Sequence, residues 1–275
     1  MQNFQQKVIV ITGAGSGIGR ELATQLAAKG AILALNDLKE DALTETWGML
    51  PEASRGFMAA FDVGDRNAVD NFAAAVRKAL GRVDMVVNNA GFTLAINPII
   101  YSAVEDYERV LQVNLWGVIY GSLAFLPHLR ENEEGCLVNI SSVFGLMGSP
   151  GQAPYNVSKF GVRGFTETLR VEMRGTGLQV VCVHPGGIKT NIARNIEGDD
   201  KAANERFVKT FDRHAKTTAA EAANVIISGV ERGKSRIPIG ADARFIDRIT
   251  RLMPTNYERL LNRKMDNARF LRGRA

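Results

Sequence analysis

Short runs of β-branched and apolar residues recur along the chain: KVIVIT, AILALN, GFMAAF, VDMVVN, CLVNIS, LQVVCV and RIPIG. Each is apolar at consecutive rather than alternate positions, as a strand covered on both faces must be. Between them lie longer segments with apolar residues at helical spacing: Ile18 to Lys29, Asp65 to Leu80, Tyr101 to Arg130, Tyr155 to Arg174 and Ala219 to Arg232. This alternation predicts βαβ units and a sheet of seven mainly parallel strands with helices on both faces. Right-handed crossovers then make the sheet doubly wound, with ligands bound beyond the carboxyl ends of the strands at the switch point. Residues with chemistry to offer fall just there. TGAGSGIG follows the first run, Asp37 the second, Asp62 the third, NNAG the fourth, Ser141 and Ser142 the fifth, and HPGG the sixth.

At 275 residues and 45% hydrophobic content, the chain can bury one large core. No repeat or low-complexity linker marks a second domain. The expected organisation is one Rossmann-like α/β domain over residues 1–240 and a C-terminal helical extension over 241–275, packed on that domain or on a neighbouring subunit. Cys136 and Cys182 both lie inside apolar runs and read as buried thiols in a reducing compartment. The start, MQNFQQKVIVITG, lacks the pattern of a secretory signal, so a cytoplasmic location is expected. No apolar run approaches the roughly 20 residues that cross a bilayer.

Charge changes the picture at one end. The chain carries a formal +5, and Arg232 to Ala275 holds twelve Lys or Arg against four Asp or Glu. The body is therefore slightly acidic, which argues against a nucleic-acid groove across it.

After the first run comes Gly13-Ala14-Gly15-Ser16-Gly17-Ile18-Gly19, opening directly into a helix. Missing side chains let the backbone approach a pyrophosphate, whose charge is stabilised by unpaired N–H groups and the positive end of the helix dipole. A Walker-type loop is excluded, because no Lys-Ser or Lys-Thr pair follows the last glycine. Asp37 ends the second run, near the spacing at which an acid meets the adenosine ribose. A 2′-phosphate there would meet like charge, so NAD is favoured over NADP as the cofactor. Asp37 also suits the start of a helix near Lys39.

Tyr155 and Lys159 stand four apart in a helical segment and share a face. A free phenol titrates near pH ~10, and a neighbouring ammonium together with a positively charged nicotinamide would favour the phenolate. By itself such a pair is common on amphipathic helices, where the lysine stem covers the ring. With TGAGSGIG at Thr12 to Gly19, Asp62, NNAG at Asn88 to Gly91, Asn114, Ser142, YNVSK at Tyr155 to Lys159, and HPGGIKT at His184 to Thr190, the sequence resembles the single-domain short-chain dehydrogenase/reductases.

The resemblance implies hydride transfer between a nicotinamide dinucleotide and a secondary alcohol or ketone, with a catalytic tetrad of Asn114, Ser142, Tyr155 and Lys159. It assigns the serine role to Ser142 rather than Ser141. Tyr155 would exchange the substrate proton, Ser142 hold the substrate oxygen, Lys159 bind the nicotinamide ribose, and Asn114 interrupt its helix and hold a water leading to Lys159. It further implies cofactor contacts by Gly13, Ser16, Gly17, Ile18, Gly19 and Asp37, by Asp62 and Val63 at the adenine, and by Asn89, Ala90 and Gly91. Pro185, Gly186, Ile188 and Thr190 complete that set, the last two at the carboxamide. Pairing of the Asn114 and Tyr155 helices across a two-fold axis would give a homodimer or homotetramer. A dinucleotide-binding scaffold that has lost catalysis is the competing reading.

His184 departs from the asparagine more usual before the Pro-Gly and reads as a structural neighbour bonding backbone. No spacing of histidines suggests a metal site. Substrate choice should fall to Phe92, Thr93, Val143 to Gly148, Gly187 and the mixed segment Asn191 to Thr217, which reads as a lid. Phe144, Leu146, Met147 and Ile192 suggest a lipophilic substrate, or else simple core packing. In the tail, Phe245, Ile246, Ile249, Leu252 and Met253, then Tyr257, Leu260, Leu261 and Met265, form apolar stripes opposite basic residues. Such a stripe can meet an anionic membrane surface, but covering the chain's own core or a neighbouring subunit is favoured.

Overall fold

Residues 1–190, 208 and 215–262 are described by the computed structural model of the chain. Seven strands form one sheet: β1 (Val8–Thr12), β2 (Ile32–Asp37), β3 (Arg55–Ala60), β4 (Met85–Asn88), β5 (Gly135–Ile140), β6 (Leu178–Pro185) and β9 (Arg236–Ile239). Their order is β3-β2-β1-β4-β5-β6-β9, and every pairing is parallel. The direction of winding reverses between β1 and β4, so the crevice for a ligand opens above their carboxyl ends. A two-residue ladder, β7 (Ile188–Lys189) with β8 (Thr217–Thr218), was not legible in the hydrophobic pattern.

Both faces of the sheet are covered. Ile9, Ile11, Leu33 and Leu35 point to one side, where α1 (Gly17–Ala28) and α7 (Ala219–Glu231) pack. Val10, Ala34, Val86 and Leu137 point to the other, against Phe72 and Val76 of α3 (Arg66–Leu80), Phe125 and Leu129 of α5 (Gly117–Arg130) and Leu169 of α6 (Ala153–Glu172). A fully buried side chain of this size contributes roughly 1.5–3 kcal/mol, which explains why the strands read as unbroken apolar runs. Helix ends are set locally. Asp65 caps α3 by accepting from the Asn67 and Ala68 amides, and left-handed Gly81 (φ 74°) ends it.

Helix α2 (Glu40–Gly48) is short and shows few apolar positions, so its pattern is weak. The segment expected to be helical from Tyr101 begins as a 3-10 turn at Ile99–Tyr101 and becomes α4 (Val104–Leu111) only later. From Val104 to Arg130 the chain is helical throughout, with a π turn at Gln112–Trp116. This 27-residue stretch is long and apolar enough to cross a bilayer by length and composition, contrary to the expectation that no run approached that limit. Gly121, Ser122, Phe125 and Leu129 on it are buried, whereas Trp116 and Leu123 are exposed.

The strands are tied to the helices that carry the site by a buried polar chain. The Asn88 amide donates to Asn139 Oδ1 (2.9 Å) and to Ser122 Oγ (3.1 Å), and the Asn139 amide donates to Thr166 Oγ1 on α6 (3.0 Å). Replacing Asn139 leaves two buried polar partners short of a bond. Asn139→Ala is expected to lower stability by about 1–3 kcal/mol in urea titration, with the transition slope unchanged.

Candidate active site

The glycine turn between β1 and α1 is built by close approach. Gly13 has φ +65°, and a Cβ there would lie 2.8 Å from the Ala90 backbone and 2.9 Å from the Asn89 amide. A Cβ on Gly19 would strike the Gly13 carbonyl, and one on Gly15 would lie 2.8 Å from the Asp37 carboxylate. Ser16 caps α1 without a side-chain hydrogen bond, and the first turn holds no acid. The positive end of the helix thus has no internal counter-charge, which fits a pyrophosphate. Gly17 (φ +55°) faces Thr190, whose methyl would lie 3.3 Å from an added Cβ, so the turn after β6 meets the glycine turn.

Asp37 ties the glycine turn to the start of α2. One carboxylate oxygen accepts from the Gly15 amide (2.8 Å) and the other from the Lys39 amide (3.0 Å). Asn89 bridges β4 to β1: its side-chain amide donates to the Thr12 and Gly13 carbonyls, while the Asn89 and Ala90 amides donate to Thr12 Oγ1. Asp62 accepts from the Gly64 amide (2.8 Å) and is exposed, whereas Val63 is buried and packs where a Gly117 side chain would be. Ile18 packs against the core beside the turn. Arg20, which pattern reading passed over, donates to the Gly15 carbonyl and to both carboxylate oxygens of Glu45 (2.9 and 2.7 Å). A cation therefore stands beside the turn with its charge already matched.

The four tetrad positions converge at the ends of β4 and β5. Asn114 lies at the centre of the π turn, fully buried. It accepts from the Phe92 amide (2.9 Å), donates to the Phe92 carbonyl (2.8 Å), and reaches Ser158 Oγ (3.3 Å). Its side chain thus fixes the strand end rather than reaching Lys159 directly. A Cβ on Gly91 would lie 3.0 Å from Asn114 Oδ1 and 3.4 Å from Lys159 Nζ, so both groups border that glycine. Lys159 is 3% exposed, donates to the Ile140 carbonyl (3.1 Å) and holds Nζ 5.5 Å from the centre of the Tyr155 ring. The two serines divide cleanly. Ser141 Oγ donates to the Lys159 carbonyl (2.8 Å), whereas Ser142 Oγ accepts from the Phe144 amide (3.1 Å).

Burial pushes the Tyr155 phenol up to about 12, and the Ser142 hydrogen bond only partly opposes it. Burial likewise pulls the Lys159 ammonium down to about 8. The sequence reading expected a lowered phenol; within the protein alone, loss of hydration outweighs the neighbouring ammonium. His184 is fully buried on β6, and its Nδ1 lies 3.1 Å from the Ser142 carbonyl, so Nδ1 carries the hydrogen. Burial holds its pKa down to about 4.

Pro185 pairs with Ile239 at the end of β6, and the Gly186 amide donates to the Ile239 carbonyl (3.0 Å). The Ile188 side chain is buried in the core, so any contact it makes above the sheet must use its backbone. Thr93, a candidate for substrate contact, instead gives its hydroxyl to Gln152 Oε1 (2.7 Å). Leu146 and Met147 are also engaged in packing, against Ala243 and Ile246 of α8 (Ala241–Leu252). Phe144 remains beside the site, edge-on to Tyr155 at 6.1 Å. Ile192, His214 and Met265, most of the suggested lid, and the side chains of Leu260 and Leu261 lie outside the described residues.

Comparison with known proteins agrees with this geometry. The family model described as short chain dehydrogenase matches residues 7–201. A putative oxidoreductase, SadH, of Mycobacterium tuberculosis is 44% identical over 265 residues, covering 95% of this chain and 96% of that protein. Meso-2,3-butanediol dehydrogenase of Serratia marcescens is 36% identical over 189 residues, 69% of this chain and 74% of the relative. The crystal structure of a short-chain dehydrogenase/reductase from Burkholderia phymatum in complex with NAD has a TM-score of 0.82 at 30% identity, covering 92% of this chain and 96% of that one. A family match across the sheet and both ends of the site, with a relative alike over nearly the whole length, means that the chain belongs to the short-chain dehydrogenase/reductase family and is a nicotinamide-dependent oxidoreductase of alcohols and ketones.

Proposed function

We propose that the chain oxidises a secondary alcohol to a ketone, or the reverse, with Tyr155 as proton acceptor and donor and NAD as its cofactor. The observation that carries this reading is the Tyr155 ring held 5.5 Å from the Nζ of a buried lysine and edge-on to Phe144 of the Ser142 loop, at the sheet's switch point. The bound nicotinamide supplies the hydride acceptor, or in reduction the donor.

Ser142 has its hydroxyl oriented by the Phe144 amide and would hold the substrate oxygen beside Tyr155. In oxidation Tyr155 takes the hydroxyl proton while the carbon-bound hydrogen leaves as hydride; in reduction both transfers reverse. Lys159 would hold the nicotinamide ribose and favour the phenolate, while Asn114 keeps the Phe92 backbone in place beneath it. The NAD preference is supported by Asp37, whose carboxylate occupies the end of β2, and by Arg20, whose charge is matched by Glu45 rather than offered to a 2′-phosphate. Phe144, edge-on to Tyr155, supports a lipophilic substrate.

Trp116 and Leu123 on one helix and Val157 and Phe160 on α6 are exposed, an apolar face suited to a second copy. We therefore read the working form as a homodimer or homotetramer.

Tyr155→Phe should lower turnover by about 10³-fold or more while the dissociation constant for NADH, read by fluorescence, changes little. Activity near that of the unaltered enzyme would overturn the proton-transfer role of Tyr155, whereas no turnover by the unaltered chain would favour a catalytically silent scaffold. The Lys159 shift has its own signature. Between pH about 8 and its ordinary 10.5 the unfolded chain holds a proton that the folded one lacks, so stability rises with pH in that window. Lys159→Met should remove this rise in denaturant titrations run across pH 7–11. Leu123→Glu combined with Phe160→Glu should halve the mass seen by light scattering; an unchanged mass places the interface elsewhere.

A further inference from the structure

The C-terminal segment touches both loops that flank the position of the reacting groups. Helix α8 is anchored to the sheet by Asp247, which accepts from Arg236 of β9 (3.0 and 2.7 Å), and Arg236 also reaches Glu167 on α6 (2.8 Å). Its inner face, Ala243 and Ile246, packs on Val143, Leu146 and Met147, with Phe144 and Tyr257 at the edge of the cluster. Past α8, the Tyr257 hydroxyl accepts from the Gly148 amide (3.2 Å). Asn156, next to the proton-exchanging tyrosine, holds the same loop from the opposite side by donating to the Phe144 and Met147 carbonyls (2.9 and 2.8 Å). The loop bearing Ser142 and Phe144 is thus clamped between α6 and the tail.

At its other end α8 reaches the turn after β6. Asp242 accepts from the Gly187 amide (2.8 Å), and its carboxylate occupies space that a Cβ on Gly186 or on Gly240 would fill. Gly240 has φ +98°, a conformation that favours glycine in its own right. Two glycines, one on each strand end, therefore admit a carboxylate from the first turn of α8, where the helix dipole also favours it. That turn leads directly into Ile188, and from there to Thr190, whose methyl faces Gly17.

We propose that Ala241–Tyr257 forms a specificity-determining wall of the substrate site, acting through two positioning residues: Tyr257 on the Val143–Gly148 loop and Asp242 on the Gly186–Gly187 turn. The proposal rests on the oxidoreductase reading above and deepens it. Tyr257 sets how far Phe144 stands from Tyr155, and so the width available to an alcohol's substituents. Asp242 sets the turn that borders the nicotinamide end.

The test uses the full chain, a graded series of secondary alcohols with NAD, and NADH binding by fluorescence. Tyr257→Ala should raise KM by about fivefold or more for the bulkier alcohols, the loss of roughly one hydrogen bond and its ring contact, and by less for the smallest. Its kcat should fall less than its KM rises, and Tyr257→Phe, which keeps the ring, should lie between. Asp242→Ala should weaken NADH binding several-fold, and Asp242→Asn, which keeps an acceptor oxygen, should restore much of it. A folded Tyr257→Ala enzyme with the unaltered size preference overturns the wall, as does failure of Asp242→Asn to differ from Asp242→Ala. Should the unaltered chain turn over no alcohol of the series, the proposed alcohol-oxidising reading fails separately, and amide exchange then decides the clamp. Faster exchange at Gly148 in Tyr257→Ala and at Gly187 in Asp242→Ala supports it; unchanged exchange at both overturns it.

Discussion

Lys159 places an ammonium group where water is nearly absent, and much of the surrounding structure follows from that placement. A buried charge without a carboxylate must find its compensation in oriented dipoles. Here the Ile140 carbonyl at the end of β5 supplies one, and the Tyr155 ring face supplies weaker support. Ser141 holds the Lys159 backbone from below, and the π turn carries Asn114 to the border of Gly91 beside the amine. The result is a base and an acid both held away from their ordinary states: a phenol reluctant to ionise and an amine ready to lose its proton. A positive charge brought beside that pair would lower the phenol toward the working range.

The sheet does the long-range work. Parallel pairing sets the ends of β1, β4, β5 and β6 side by side, and the Asn88, Asn139 and Thr166 chain makes two of those ends move with α6. Residues from seven separate stretches of sequence consequently share one crevice. The glycine turn, Asp37, Asn89 and Thr190 stand on one side of it, and Ser142, Tyr155, Lys159 and Asn114 on the other.

All seven long strands were legible because each is apolar on both faces, and the glycine turn because its spacing has no other common use at a strand-to-helix junction. The place of Asp37 at the end of β2 was legible too, although its carboxylate bonds the Gly15 and Lys39 amides rather than capping α2 directly. What escaped was long-range. Asp242 meets Gly187 across 55 residues and Tyr257 meets Gly148 across 109, and no periodicity reports such contacts. For the same reason Leu146 and Met147 suggested a pocket, when the helix that covers them starts almost a hundred residues later. The burial that raises the Tyr155 phenol in the chain alone was not legible either, because neighbouring charges can be counted in a sequence, whereas lost hydration cannot.

His184 shows how the fold limits the site's repertoire. Its Nδ1 hydrogen is committed to the Ser142 carbonyl, and its Nε2 is enclosed without a partner. An imidazole so held stays neutral through the whole interval in which histidines ordinarily titrate. Acidity changes in the surrounding medium therefore reach the chemistry through phenol and amine alone, and the serine's backbone support stays constant while they respond.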